Sequence, residues 1–248
     1  MTLALCVLAL AAGRAAASET VGFDVSYPQC RTGMPGVSSF AIVGVNSGWT
    51  TSENPCLARQ LRWALTSTRG YPQASFYIDT ADPGPRVSDW PRHGASPYGA
   101  CHGSWSYACA YLYGAQRAEH SYRFVSALDA GLARAAPWWL DIETSSSWAR
   151  TVRSLNRAAI QGFVAGLHRA GVRQKVGMYS TALQWWRITG LGASTTPGAF
   201  GGSPHAWVAS SIESRASAQR LCSLRSFTGA VPELVQYQSG GFDVDLRC

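Results

Sequence analysis

From Val21 to the C-terminus, short apolar or β-branched runs alternate with segments whose apolar residues recur at helical spacing. The runs predict eight strands: "VGFDVSY", "SFAIVGVNSG", "ASFYIDT", "APWWLDIET", "KVGMYS", "HAWVASS", "ELVQYQS" and "GFDVDLRC". This alternation is typical of βα units with a mainly parallel sheet. We therefore expect a single α/β domain that folds as a TIM-like barrel.

Amphipathic segments between the strands predict the helices. In "NPCLARQLRWALTST", Leu57, Leu61 and Leu65 share one face, and "AYLYGAQRAEHSYRFVSALDAG" predicts a long helix that ends at Gly131. Further helices are predicted over residues 156–169, "TALQWWRITG" and "SAQRLCSL". The last three strands leave little room for full helices between them, so we expect fewer than eight helices.

One long segment, "ADPGPRVSDWPRHGASPYGACHGSWSYAC", breaks the pattern between the third strand and the longest helix. It is rich in Pro, Gly, Ser and aromatic residues, so we expect a loop with no strand or helix of its own. A loop this long often belongs to a functional site, but a surface excursion without a function is an equal alternative.

The N-terminus, "MTLALCVLALAAGRAAASET", has an apolar stretch followed by small residues that suit a signal peptidase. We expect a signal peptide over residues 1–17, a barrel domain over residues 18–248, and a secreted protein. The apolar stretch is too short to span a bilayer, so we expect no stable membrane anchor. A lipid anchor on Cys6 is the alternative, but the bulky Leu5 before that cysteine argues against it.

Removal of the signal peptide would leave six of the seven cysteines. An even number of cysteines in an exported chain predicts disulfides. We favour three pairs, of which the first closes the shortest loop: Cys101–Cys109, Cys30–Cys56 and Cys222–Cys248. The chain has no C-x-x-C pair, and its histidines show no ligand spacing, so we expect no metal and no other cofactor.

The formal net charge is +7, carried almost wholly by arginines because Lys175 is the only lysine. The arginines are scattered, which argues against a nucleic-acid partner and favours a cationic surface that attracts anionic polymers. A bias inherited from a GC-rich coding sequence explains the same distribution equally well. The absence of a Gly-x-Ser-x-Gly turn, a P-loop and a dinucleotide fingerprint removes serine hydrolases and nucleotide-binding proteins as leading interpretations.

The run "PWWLDIET" carries the most informative polar residues. Side chains two positions apart share one face of a strand, so Asp141 and Glu143 point the same way. In a parallel barrel the carboxyl ends of the strands form the mouth, where active sites lie, and this pair ends its strand. An ion pair or a carboxylate capped by arginine is the alternative. Two carboxylates beside Trp138, Trp139 and Trp148 instead resemble a sugar site.

Carboxylates also follow or end other predicted strands. Taken alone, each is more often a turn or cap residue, because aspartate favours such places. Their shared position at strand ends predicts that they line one mouth: Asp24, Asp79, Asp82, Asp243 and Asp245.

The chain has ten tryptophans, and aromatic faces stack well on sugar rings. Candidates for the walls of a groove lie near strand ends or in the long loop: Trp49, Trp105, Trp139, Trp148 and Trp207. Tyr179 and Tyr237 end their strands and are candidates for hydrogen bonds to a substrate, with buried, satisfied hydroxyls as the equal alternative. Trp63 is expected in the core, and Trp185 and Trp186 cannot both face inward.

Several segments resemble glycoside hydrolase family 25, the Chalaropsis-type lysozymes. "GFDVSYPQ" resembles the family's "GIDVS" opening, "FAIVGVNSG" its second strand and "WWLDIET" its Asp-x-Glu strand. "GMYST", "AWVAS" and the closing "LVQYQS" and "FDVDLRC" resemble its later strands. No single piece is specific, but their common order from Val21 to Cys248 is strong evidence of similarity.

The resemblance implies a (β/α)5β3-type barrel that cleaves the β-1,4 bond between N-acetylmuramic acid and N-acetylglucosamine in peptidoglycan. It implies Glu143 as the general acid and Asp141 as the residue that orients or stabilises the reacting 2-acetamido group. Asp24 and Asp245 match the family's other acidic positions and would tune charge and hold the substrate or a water. The substrate-binding candidates are Trp139, Tyr179, Tyr237, Trp207, Asp79 and Trp148. The protein would be a monomer associated with the cell wall, with peptidoglycan or a related N-acetylated glycan as its partner.

The chain departs from the family pattern in three places. Its third strand reads "FYIDTADPGP" where a "YHF"-like end is usual, the long cysteine-bearing loop follows, and Val45, Asn46 and Ser47 replace a "KATEG"-like run. The walls of the groove therefore differ, which leaves a changed substrate or a loss of catalysis open. One alternative is a non-catalytic barrel that binds cell-wall glycan. Another is a structural or regulatory secreted barrel, which would be favoured if the long loop covered the mouth.

Overall fold

The computed structural model describes residues 20–67, 72–202, 204–209 and 214–248. The signal peptide expected over residues 1–17, its boundary with the domain and Cys6 lie outside these ranges. Within them, no helix is both long enough and apolar enough to cross a membrane.

Strands of the described residues form a closed barrel and a separate hairpin. In chain order they are β1 (Val21–Val25), β2 (Phe40–Gly44), β3 (Ala74–Asp79), β4 (Gly94–Ser96), β5 (Gly99–Cys101), β6 (Trp138–Asp141), β7 (Val176–Ser180), β8 (Ala206–Val208), β9 (Leu234–Ser239) and β10 (Phe242–Arg247). The barrel has the strand order β1-β10-β9-β8-β7-β6-β3-β2, and β4 pairs with β5. These barrel strands are the eight that the sequence predicts, so the barrel fold is confirmed.

Helices surround the barrel. The described ones are α1 (Leu57–Ala64), α2 (Tyr107–Ser126), α3 (Ala130–Ala135), α4 (Arg153–Ala170), α5 (Ala182–Thr189), α6 (Thr196–Phe200) and α7 (Arg215–Leu221). Their number agrees with the expectation of fewer than eight. The sequence did not predict α6, which is only five residues long and contains both Pro197 and Gly198.

Strand direction sets which end of each strand reaches the mouth. Seven barrel strands run parallel to their neighbours. The exception is β10, which is antiparallel to both β9 and β1. A tight turn at Gly240 and Gly241 joins β9 to β10, with φ values of 61° and 80° that favour glycine. The mouth is therefore formed by the carboxyl ends of the other seven strands and by the amino end of β10.

Two predicted elements differ from the structure. The long helix was expected to end at Gly131, but α2 ends at Ser126. Asp129 accepts a hydrogen bond from the Leu132 N–H (2.8 Å) and thereby starts the separate helix α3. The segment expected to be a loop without elements contains the β4–β5 hairpin, which ends at Cys101.

The predicted disulfides are all formed: Cys30–Cys56, Cys101–Cys109 and Cys222–Cys248. The first ties the segment after β1 to the start of α1, and the second ties the hairpin to the first turn of α2. The third ties the end of α7 to the C-terminus. Each bond thus fixes an irregular segment or a chain end to a helix.

Apolar residues fill both sides of the barrel wall because side chains alternate along each strand. In β6, Trp138 and Leu140 point outward and pack in the large core between strands and helices. Trp139 points inward and joins the interior core with Phe40 and Trp207. The same alternation directs Asp141 to the inside of the barrel, one step nearer the mouth.

Candidate active site

Five carboxylates gather where the barrel interior meets the mouth, and we call them the acidic cluster: Asp24, Asp79, Asp141, Glu143 and Asp245. Asp79 and Asp141 lie directly beside each other on the paired strands β3 and β6. Glu143 follows Asp141 by two residues, just beyond the end of β6. Asp141 interacts electrostatically with Glu143, Asp79 and Asp24, in that order of strength. Asp24, Asp79, Asp141 and Glu143 therefore lie close together, as the sequence predicts, whereas Asp245 lies deeper in the barrel.

The position of the β10 acids is a correction. Asp243 and Asp245 were expected at the mouth because they come late in the predicted strand. Since β10 is antiparallel, Asp243 lies beside Asp24 near the mouth, whereas Asp245 lies beside Gly22, deeper in the barrel. Asp245 is completely buried.

Glu143 is held by the segment that follows β7. Gln184, near the start of α5, donates a hydrogen bond from Nε2 to Glu143 Oε1 (2.9 Å). The other end of the same amide accepts a hydrogen bond from Thr144 Oγ1 (2.9 Å), which fixes its orientation. Trp148 donates its indole N–H to the backbone oxygen of Glu143 (2.8 Å). Glu143 remains partly exposed, so it is oriented and still accessible.

Asp141 is the least satisfied member of the acidic cluster. Its Oδ1 atom is buried and has no hydrogen-bond partner among the described residues. Burial, followed by the charge of Glu143, raises the pKa of Asp141 well above its usual value of 3.8. Within the described ranges, neither Asp141 nor Glu143 forms an ion pair with an arginine. The alternative of a carboxylate neutralised by arginine is therefore not what the structure contains.

Asp79 is anchored by the loop that follows β2. Its Oδ2 atom accepts a hydrogen bond from the Gly48 N–H (3.0 Å), and its backbone N–H donates to Asn46 Oδ1 (3.0 Å). Burial raises its pKa to about 6, a rise to which the charge of Glu143 adds and which the Gly48 hydrogen bond opposes. Asn46 and Gly48 thus give the chain's unusual "VNSG" run a role in fixing this carboxylate.

Asp24 and Asp245 form a buried acid pair beneath the mouth. Their side chains contact each other, and two such carboxyl groups cannot both ionise at low cost. Burial is the main cause that raises the pKa of Asp24 to about 7 and that of Asp245 well above 3.8. Trp207 donates its indole N–H to Asp245 Oδ1 (2.8 Å), and Gln236 donates to Asp24 Oδ2 (2.9 Å). Burial thus favours the protonated form of both carboxyl groups, and neutral donors hold them in place.

Three predicted substrate-binding residues do not lie where a sugar could stack or bind. Trp139 and Trp207 are 1% exposed and pack against each other inside the barrel, with ring centroids 5.8 Å apart. Tyr237 points to the outside of the barrel, in the apolar cluster with Val244 and Leu246. Side chains alternate along a strand, so Trp139 and Trp207 point into the filled interior whereas Tyr237 points outward.

The other candidates lie at or near the acidic cluster. Tyr179 lies beside Asp141 in the strand register, and its hydroxyl donates to Gln236 Oε1 (2.9 Å). Trp148 contacts the Glu143 backbone, as described above. Exposed aromatic faces belong instead to Trp49 and Trp105, which are 66% and 40% exposed. Both were among the predicted candidates for the walls of a groove. Because both lie in loops, the exposed aromatic surfaces come from loops.

Sequence reasoning missed two amides that hold the carboxylates. Gln236 points into the barrel because its neighbour Tyr237 points out, and strand parity in "LVQYQS" was the available signal. Gln184 lies three residues after Thr181, whose side chain accepts from the Gln184 N–H and caps α5. That capping pattern places Gln184 in the first helical turn, facing the mouth. The sequence "STALQ" contains this signal.

Two cavities flank the acidic cluster. One, of about 470 Å³, is lined by Gly48, whose N–H holds Asp79, and by Trp49. The other, of about 1120 Å³, is lined by the segment from Thr144 onward and by Trp148, both next to Glu143. Asp79, Asp141 and Glu143 each remain partly exposed. The long loop therefore does not seal the mouth, which removes the reason to favour a purely structural barrel.

Comparisons with known proteins show which fold this is. No protein-family model and no curated protein sequence matches the chain. Among solved structures, a family GH25 lysozyme from Aspergillus fumigatus is 16% identical with a TM-score of 0.57, covering 93% of this chain and 94% of that one. A bacterial lysozyme from Streptomyces coelicolor is 18% identical with a TM-score of 0.53, covering 92% and 91%. The structural neighbours are thus glycoside hydrolase family 25 lysozymes, and the chain shares their barrel fold.

A further solved structure is that of the modular Cpl-1 endolysin in complex with a peptidoglycan analogue. It is 16% identical with a TM-score of 0.50, and the match covers 92% of this chain and 54% of the endolysin. At these identities the likeness establishes the fold.

Proposed function

We propose that the protein is an exported muramidase-like glycoside hydrolase that cleaves the β-1,4 bond between N-acetylmuramic acid and N-acetylglucosamine in peptidoglycan. The observation that carries this proposal is the pairing of Asp141 with Glu143 at the barrel mouth, where neither carboxylate forms an ion pair with an arginine of the described ranges. Glycoside hydrolysis uses two carboxyl groups of unequal protonation at such a position. The lysozyme barrel of the structural neighbours supports the same reaction class.

Glu143 is proposed as the general acid that protonates the leaving oxygen. Gln184 fixes one of its oxygens, and its partial exposure gives a substrate access to the carboxyl group. Burial and the charge of Glu143 raise the pKa of Asp141 well above its usual value, so the two neighbouring carboxyl groups have unequal environments. An acid and its stabilising partner require such unequal environments.

Asp141 is proposed to orient the substrate's 2-acetamido group or to stabilise the cationic centre that develops. Its Oδ1 atom has no hydrogen-bond partner among the described residues, so a substrate group can supply one. Asp24 and Asp245 are proposed to support this role from below by setting the local charge. Their contacts with Gln236 and Trp207 hold them in the barrel interior, where they act as positioning residues.

Export is part of the proposal. Three disulfides are formed in the described chain, and such bonds persist in oxidising compartments outside the cytosol. A peptidoglycan substrate is found in that environment. We therefore propose a secreted protein that acts at the cell wall.

The proposal is tested by release of soluble fragments from insoluble, dye-labelled peptidoglycan. The native protein is expected to release dye, and Glu143→Gln to lower the rate by at least about 100-fold, because general acid catalysis contributes on that order. Glu119→Gln is the matched control, since that carboxylate pairs with Arg169 on the outer helices. Binding to the polymer is measured in parallel. Binding without release by the native protein would replace the proposal with a non-catalytic glycan-binding barrel.

A further inference from the structure

The larger of the two cavities has an unusual charge, and we call it the arginine cleft. Arg86, Arg150 and Arg187 all line it. They come from three separate segments, which are the loop after β3, the loop between β6 and α4, and helix α5. All three side chains are exposed. The fold thus directs three scattered arginines of the sequence to one depression beside Glu143.

The positive charge of the arginine cleft is not balanced by carboxylates. Among the described residues, none of its three arginines takes part in an ion pair, whereas Arg117 and Arg169 elsewhere do. The acidic residue that lines the cleft is Asp82, and it is completely buried. Burial raises its pKa to about 7, so it carries only part of a full negative charge at neutral pH. Converging like charges favour an anionic ligand.

Trp105 and Trp148 form walls of the arginine cleft, and a hydrogen bond from each indole N–H holds the side chain in place. Trp105 donates its indole N–H to Asp82 Oδ1 (2.9 Å). Its ring lies so close to Gly84 that a Cβ atom there would come within 2.7 Å of the indole. On the other side, Trp148 joins the cleft to the backbone of Glu143 through its own indole N–H. Aromatic surface, hydroxyl groups of the segment from Thr144 to Ser147 and guanidinium groups therefore line one site.

We propose that the arginine cleft is a subsite for a carboxylate-bearing substituent of the glycan, next to the bond that is cleaved. This inference rests on the proposed function and adds the charge of the substrate to it. Guanidinium groups bind carboxylates in a bidentate manner, and the adjoining tryptophans suit the sugar that carries the carboxylate. In peptidoglycan, the carboxylate is supplied either by the peptide stem or, where the stem is absent, by the lactyl group of muramic acid.

The test measures equilibrium binding, so that it does not depend on turnover. The Glu143→Gln protein is mixed with three forms of one purified peptidoglycan. The first is intact, the second has its stems removed so that lactyl carboxylates are free, and the third has its carboxylates amidated and its amines acetylated. Arg150→Gln with Arg187→Gln is compared on the same background, with Arg123→Gln as the control. Arg123 is exposed near the end of α2, outside the residues that line the cleft.

Tighter binding to a charged form than to the neutral form is expected, and the paired cleft substitutions should weaken that binding by roughly tenfold. The preference should shrink in high salt, and Arg123→Gln should retain it. A preference for the intact form identifies the stem, and one for the stripped form identifies the lactyl group. Binding to all three forms equally, or equal losses in the cleft and control variants, would overturn the cleft proposal alone. Binding to none of them would contradict the proposed function itself.

Discussion

Asp82→Asn offers a quantitative test of how burial controls the acids near the mouth. Asp82 is completely buried, and so is its Oδ2 atom. Its Oδ1 atom accepts the Trp105 indole N–H. Burial raises its pKa from 3.8 to about 7, an effect opposed by the Trp105 and Gly84 hydrogen bonds. Asparagine has nearly the same shape and no charge, so the substitution removes the titration, and any change in hydrogen bonding adds an offset that does not vary with pH.

The direction of the effect follows from proton binding. The folded protein holds the Asp82 proton up to about pH 7, whereas the unfolded chain releases it near pH 4. Stability from this group is therefore fully present below about pH 4 and is lost as the pH rises through 7. A shift of about three pH units corresponds to on the order of 4 kcal/mol. The native protein should lose that much stability relative to Asp82→Asn between pH 4 and pH 8.

The assay is urea unfolding of both proteins, with disulfides intact, at several pH values. Taking the difference between the two proteins cancels the titration of Asp24 and the other acids, which both proteins share. Asp129→Asn serves as the control, because Asn caps a helix as well as Asp does and this side chain is exposed. A difference between native and Asp82→Asn that varies by less than about 1 kcal/mol across this range would refute the reasoning.

Two further predictions concern the support of the site and the packing of the helices. Gln184→Leu should leave the fold intact but lower the rate of peptidoglycan cleavage by roughly tenfold or more, because Glu143 loses the hydrogen bond that Gln184 donates. An unchanged rate would contradict the positioning role of Gln184. Gly114→Ala should lower the free energy of unfolding by about 1–3 kcal/mol, since a Cβ atom there would lie 2.1 Å from the Ala159 backbone oxygen. Gly131→Ala, with its nearest atom at 3.4 Å, should be neutral or slightly stabilising in the same urea titration. Equal stability of the two variants would contradict the close approach of α2 and α4.

Local periodicity was sufficient to predict the barrel and the central pair of acids. Alternation along "WWLDIET" directs Asp141 to the inside of the barrel, and Glu143, just beyond the end of β6, lies close enough to interact with it. Strand ends in a parallel barrel share a mouth, and that rule brings Asp24 and Asp79 to the same place. The Cys101–Cys109 pair could be predicted because it closes a short loop of eight residues.

Strand direction and the depth of side chains were harder to predict. The turn at Gly240 and Gly241 reverses β10, and this reversal places Asp245 deep in the barrel. A two-glycine turn between short strands was a signal for a hairpin that the sequence interpretation did not use. The burial of Trp139 and Trp207 depends on which side chains fill the barrel interior, which spacing alone does not determine. Convergence of the three cleft arginines likewise depends on the whole fold.

The central claim is that this acidic cluster cleaves the muramic acid bond of peptidoglycan. The most direct measurement is to digest purified peptidoglycan with the native protein and with Glu143→Gln, reduce the new chain ends with borodeuteride and identify them by mass spectrometry. The account predicts labelled reduced muramic acid ends with the native protein and almost none with Glu143→Gln. Labelled glucosamine ends, or equal amounts of muramic acid ends with both proteins, would contradict it.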